Sequence, residues 1–143
     1  MIDVSGLKRW GGLAGAPAGA AITIAGIPYD GSAVYRKGAA EAPDRIRSLS
    51  AVMPPVTEEG HLLAGLSVQD LGDLSAGSSI EQEWPHVADR LAEIPPESML
   101  TVIGGDHCTA IATLAAQARR HPNLMVLWVD AHPDLCEFSR GGR

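Results

Sequence analysis

The densest chemistry in the chain lies near its C-terminus, in the run Asp130-Ala-His-Pro-Asp134. Side chains two apart on an extended backbone point to the same side. Asp130, His132 and Asp134 can therefore bring two carboxylates and an imidazole together, with Pro133 bending the path after His132. A second group stands upstream in Gly104-Gly-Asp-His107. Its Asp106 is placed to cap a following helix, and His107 stands at that helix's opening. Hard oxygen donors with imidazole suit Mn, Mg or Zn, and no cluster of thiols offers a Cys-built zinc site. Either group alone reads equally well as solvated acids beside a locally bonded histidine. Two such groups together favour a metal site, with His107, Asp130, His132 and Asp134 as ligands.

Each group needs an element to deliver it. Leu124 to Val129 is a largely apolar run that reads as a buried strand ending at Asp130. Met99 to Ile103 reads as another, with Gly104 and Gly105 supplying a tight exit that glycine allows cheaply. Two earlier strands are expected at Ala21–Gly26 and Leu66–Asp70, the latter with Asp73 just beyond its end. Asp70 and Asp73 read as structural acids, with the orientation of a metal-binding histidine as the alternative.

Helices are expected between these strands. Asp44 to Ala51 forms one, with Pro43 in its first turn and Ile46 and Leu49 facing inward. Ser79 begins a second, whose Trp84, Val87 and Leu91 recur at helical spacing and so read as core. Thr109 to Arg120 is the third, with Ile111, Leu114, Ala115 and Ala118 as its buried stripe and Arg119, Arg120 and His121 at the negative end of its dipole. His61 and His86 read as surface residues. The loop from Tyr29 to Ala40 follows a strand's C-terminal end, where function concentrates in parallel folds. Its Asp30 and Arg36 either shape a pocket or form a surface ion pair.

Strand and helix thus alternate, which predicts right-handed βαβ units and a parallel sheet between helical layers, the α/β three-layer class. The candidate residues all fall at C-terminal strand ends, on one rim. Residues 1–20 are Gly- and Ala-rich around Pro17 and read as a flexible arm, and residues 21–143 as the α/β domain.

The chain has 143 residues, with 11 Lys+Arg against 17 Asp+Glu for a net charge of −6. That balance argues against nucleic acid or an anionic membrane as partner and suits a cationic substrate. No apolar stretch approaches the length of a membrane span. Cys108 and Cys136 form no disulfide framework, which fits reduced thiols in a cytoplasmic protein.

Gly104-Gly-Asp-His107 followed by Asp130-Ala-His-Pro-Asp134 resembles the ureohydrolase family, the arginases and agmatinases. Gly26-Ile-Pro-Tyr-Asp-Gly31, running on through Arg36, Gly38, Pro43 and Arg47, is similar to that family's N-terminal signature in its agmatinase-like form, and Asp70-Leu-Gly-Asp73 to its next strand end. The resemblance implies an arginase/deacetylase-like αβα fold and two Mn ions. It puts His107 and Asp134 on one ion, His132 on the other and Asp130 between them, and makes Asp130 and His132 catalytic. It implies a small guanidino substrate such as agmatine, cleaved to urea and an amine, and a homo-oligomer, trimeric or hexameric. Cys108 departs from the family's usual Ser. The family's remaining ligands belong to a later Asp-x-Asp element that this sequence lacks, so an N-terminal half, apparently truncated, is expected. Two other readings stand beside this one. One is a non-catalytic remnant or assembly module of a split ureohydrolase. The other is a zinc deacetylase-like amidohydrolase, against which the Gly-Gly-Asp-His turn and Asp134 argue.

Overall fold

The computed structural model describes residues 9–15, 19–33, 35–74, 80–132 and 134, without the side chains of 80–82. The expectations that fall on Ser79, Pro133, Cys136, residues 1–8 and residues 16–18 lie outside the described residues. Three strands, β1 (Ile22–Ile27), β2 (Val68–Asp73) and β3 (Met99–Gly104), form a parallel sheet in the order β2-β1-β3. The helices are α1 (Ala42–Ser50), α2 (Ile80–Ala92) and α3 (Thr109–Arg120). The step from β1 to β2 and the step from β2 to β3 run in opposite directions across the sheet. Right-handed crossovers therefore put α1 on one face and α2 on the other, giving three layers.

β1 is the central strand, and its side chains divide between the two faces. Ala25 and Ile27 join Trp84, Val87 and Leu91 of α2 and Ala112 and Ala116 of α3 in one buried cluster. Thr23 meets Ser98 on the same side through a buried 2.7 Å hydroxyl contact. Gly26 faces α1, where a Cβ would press on Pro43 and Arg47.

Two helical stripes differ from expectation. α3 buries Ala112 and Ala116, while Ile111 is 51% exposed. Two alanines four apart let the backbones of α2 and α3 approach closely, which a facing isoleucine would prevent. α1 buries Pro43, Arg47 and Ser50, whereas Ile46 and Leu49 stay half exposed. The acids of β2 draw Arg47 inward and turn the helix accordingly. Ile46 and Leu49 instead line an apolar cavity of about 500 Å³ with Trp10, Ile24 and Val68.

Part of the N-terminal stretch docks on this body. The Trp10 amide donates to Ser50 Oγ at 2.9 Å, its indole N–H donates to Asp70 Oδ2 at 2.8 Å, and Ala14 bridges Val68. No helix among the described residues is long and apolar enough to cross a membrane.

The expected strand at Leu124–Val129 is not formed. The segment carries the alternation of a strand: Leu124, Val126 and Trp128 are 38, 44 and 39% exposed, and Met125, Leu127 and Val129 are 92, 89 and 88% exposed. It is not in the sheet, where β3 pairs with β1 alone. A cavity of about 660 Å³ separates the segment from β3 and α3. The apolar pattern is right for a strand, but a strand forms only when a ladder partner takes its backbone groups.

Candidate metal centre

Two sets of acids stand near the C-terminal ends of the strands, though Asp130 and Asp134 follow the unpaired segment and no strand. The first is Asp70 and Asp73. Residues three apart on a regular strand point to opposite faces, yet both acids reach Arg47. A register shift explains this: Ile24 pairs with Asp70 but Gly26 pairs with Asp73, so β2 carries an extra residue. Gly72 sits at the bulge with φ 73°, a backbone conformation glycine adopts readily. Gly26 completes the arrangement, because a Cβ there would lie 2.0 Å from Asp73 Oδ1. Arg47, 2% exposed, donates Nε–H to Asp70 Oδ2 at 2.8 Å and an Nη2 hydrogen to Asp70 Oδ1 at 3.0 Å. It also donates to Asp73 and to the Gly72 carbonyl. Burial pushes the guanidinium pKa down, but the bonds to Asp70 and Asp73 outweigh it and the net shift is upward. Both Asp70 oxygens and one Asp73 oxygen are thus bonded to the same cation, while the Asp73 side chain stays 38% exposed.

The second set gathers at the turn after β3. Neither Gly104 nor Gly105 has positive φ. What requires glycine at 105 is space: a Cβ would lie 2.0 Å from the Tyr29 carbonyl oxygen. The turn is knitted to the loop after β1 by Gly105 N–H to Ile27 O at 3.1 Å and Asp106 N–H to Tyr29 O at 2.7 Å. Asp106 does not cap α3 itself, whose N-cap is Cys108 without a side-chain bond; it braces the turn before the helix, its Oδ1 accepting the Cys108 N–H at 3.0 Å. α3 follows and leaves His107 at the rim.

His107, Asp130 and Asp134 offer ligand atoms that all lie within 4.8 Å of one another. His107 Nδ1 is 3.3 Å from Asp130 Oδ2, and Nε2 is 3.5 Å from Asp134 Oδ2. His132 stands outside this trio. Its Nδ1 lies 3.6 Å from the other oxygen of Asp130, Oδ1, and its ring is 78% exposed. Extended alternation is not what gathers the side chains. Residues 130–132 bend, with the His132 amide donating to Asp130 Oδ1 at 2.8 Å. Asp134 takes φ 48°, a left-handed conformation that aspartate tolerates better than most residues. The His132 amide bond, with His107 and His132 nearby, holds the Asp130 carboxyl below its ordinary 3.8. A deprotonated acid between two imidazoles, with a second acid facing one of them, is a donor set that suits a divalent cation. Trp128 packs its ring edge-on to His107 at 4.7 Å.

The loop after β1 is closed on itself. Asp30 Oδ2 accepts the Gly38 N–H at 2.6 Å, and that bond holds the Asp30 carboxyl below its usual value. Arg36 lies exposed over the Tyr35 ring and pairs with no acid among the described residues. Sequence reasoning did not single out Ser32, whose amide and hydroxyl both donate to Asp106 Oδ2 at 2.9 and 2.6 Å. A lone serine 74 positions away from its partner leaves no local signal.

A parallel αβα sheet with an imidazole and carboxylates gathered beside the C-terminal ends of its strands places the chain among α/β proteins with their candidate site at one edge of the sheet. Residues 20–143 match the arginase family. Among relatives, proclavaminate amidinohydrolase of Streptomyces clavuligerus is 33% identical, over 89% of this chain and 42% of its own length. Bovine arginase-1 is 33% identical over 57% of this chain and 32% of its own. The solved agmatine ureohydrolase of Thermoplasma volcanium superposes with a TM-score of 0.63 at 25% identity, over 77% of this chain and 37% of that one. The chain belongs to the arginase family, and it spans less than half the length of these relatives.

Proposed function

We propose that this chain carries the first metal-binding portion of a manganese-dependent ureohydrolase, acting on a guanidino compound of the agmatine type to give urea and an amine. The observation that carries the proposal is the 4.8 Å grouping of His107, Asp130 and Asp134 in a chain of this family. His107, Asp134 and Asp130 Oδ2 would hold one ion, and Asp130 Oδ1 with His132 would serve a second. When bound, such ions lower the pKa of a water toward neutrality and neutralise clustered acids. The chain's own residues supply the rest. The His132 amide keeps Asp130 ionised. The acidic rim favours approach of a cationic guanidinium. The proposal extends to a cytoplasmic setting and a homo-oligomer.

This chain alone is expected to bind Mn²⁺ and to be inactive without the family's later Asp-x-Asp ligands; urea released from agmatine with Mn²⁺ by a full-length counterpart, and lost in its Asp130→Ala, is the expected result. Arginine and guanidinobutyrate are the comparison substrates. Absence of Mn²⁺ binding in titration calorimetry would overturn the proposal. One observation favours a second reading, that of an assembly module: Met125, Leu127 and Val129 present a nearly bare apolar row beside the site. Ion binding by this chain, with no urea from any of the three substrates in a full-length counterpart, would support it.

A further inference from the structure

We propose that Asp106 is a positioning residue for the metal centre: its carboxylate fastens the loop after β1 to the turn that carries His107, so that loop and ligand form one rim. The inference rests on the assignment of His107 as a ligand, and goes beyond it.

Both Asp106 oxygens are engaged, and on different elements. Oδ2 accepts the Ser32 amide at 2.9 Å and the Ser32 hydroxyl at 2.6 Å. Oδ1 accepts the Cys108 amide at 3.0 Å. The Cys108 thiol donates to Ser32 Oγ at 3.1 Å, so the two ends of the clasp also touch each other. Backbone bonds run alongside, from Gly105 N–H to Ile27 O and from Asp106 N–H to Tyr29 O. Within itself the loop is closed by Asp30 on the Gly38 and Ala40 amides and by Lys37 on the carbonyls of Asp30 and Gly31.

His107 lies between the two residues that the clasp holds. Its nitrogens approach only Asp130 and Asp134, both candidate ligands themselves. Among the described residues no other hydrogen-bonding group orients the imidazole. Trp128 packs against the ring at 4.7 Å, and the backbone of the turn fixes where the ring starts; the Asp106 carboxylate braces that turn beside the backbone bonds of Gly105 and Asp106. Groups that orient a ligand in this way typically contribute about 10–100-fold to metal affinity.

Asparagine cannot replace the acid. It offers one acceptor oxygen and one NH₂ where the site presents backbone N–H donors on both sides, Ser32 and Cys108. Whichever way the amide turns, a donor faces a donor. Ser32→Ala removes the hydroxyl and spares the amide bond, and Ser32→Thr keeps the hydroxyl.

The test titrates Co²⁺ and Mn²⁺ into the wild-type chain, Asp106→Asn, Ser32→Ala and Ser32→Thr, following the Co²⁺ visible absorption. Amide hydrogen exchange is read in parallel over residues 30–40 and 107–109. Asp106→Asn should change the Co²⁺ spectrum and lower affinity by about tenfold or more. Ser32→Ala should lower affinity by a few-fold, and Ser32→Thr should restore it. In Ser32→Ala, exchange should rise together in the loop and in the turn. Wild-type spectrum and affinity in a folded Asp106→Asn would overturn the proposal. If that variant does not fold, Ser32→Ala decides, and its binding and exchange at wild-type level would overturn the proposal equally. If the wild-type chain binds neither ion, the ureohydrolase proposal fails separately. The clasp is then judged by exchange at 107–109 in Ser32→Ala, where no change would refute it.

Discussion

The rim of this sheet holds two acid clusters of nearly the same composition and opposite character. Asp70 and Asp73 surround Arg47, a buried side chain that bonds both Asp70 oxygens and one oxygen of Asp73. Asp130 and Asp134 surround His107, a half-exposed imidazole that only approaches them, at 3.3 and 3.5 Å. In the first cluster a permanent cation is part of the chain and is bonded to both acids. In the second the partner is an imidazole, not a permanent cation, and the two acids are 27 and 41% exposed. Residue type and spacing do not separate a structural acid from a ligand. The identity of the partner does: guanidinium closes a site, while imidazole leaves room for a cation.

The sharpest way to break this contrast is to remove the cation from the first cluster. Arg47→Met keeps much of the aliphatic volume but strands Asp70 and Asp73 together beneath Trp10. Breaking a buried pair by deleting one partner costs about 3–5 kcal/mol. Urea denaturation followed by far-UV circular dichroism should show a loss of that size, enough to leave a marginal domain unfolded in buffer. A loss below about 1 kcal/mol would mean that solvent already serves these acids, and that the two clusters differ less than their geometry indicates.

Acid should separate the clusters next. Burial raises the Asp70 pKa, but the bonds from Arg47, Trp10 and Gly72 outweigh it, so the net shift is downward from 3.8. A depressed folded pKa gives stability that is full above the unfolded value and lost as pH falls through the folded one. The wild-type denaturation midpoint should therefore decline below the ordinary carboxylate range, and Asp70→Asn should flatten that decline while lowering the plateau above it. An unchanged slope in Asp70→Asn would assign the acid transition to other groups.

Much of this arrangement was legible in the residues, and what was not has physical causes. α3 was placed at its observed bounds because twelve residues without glycine or proline carry two arginines at the end. Its buried face was misread, since apolar size suggested Ile111, whereas close helix approach selects Ala112 and Ala116. The structural role of Asp70 and Asp73 was preferred, but their common direction depends on a bulge whose only sequence mark is Gly72. Leu124–Val129 showed the strand pattern without the strand, because apolar alternation reports side-chain preference and not the presence of a ladder partner. The spacing groups His107, Asp130, His132 and Asp134, and the structure draws His107, Asp130 and Asp134 together with His132 outside the trio. The bend that unites the trio has no mark in the spacing, since it depends on the His132 amide turning back to Asp130.

The smallest expected change in stability tests the open cluster itself. Asp130→Ala removes a carboxylate whose only hydrogen bond among the described residues is a local one from His132. Surface substitutions away from buried networks usually fall within about 0.5 kcal/mol, and the urea midpoint should stay inside that range. Affinity for Mn²⁺ should nevertheless fall by at least about 100-fold, since even groups behind a ligand are worth 10–100-fold. Stability held and binding lost is the signature of an acid kept for an ion. A drop in stability comparable to that of Arg47→Met would instead show that the chain uses Asp130 as it uses Asp70, to complete its own fold, and the distinction between the two clusters would disappear.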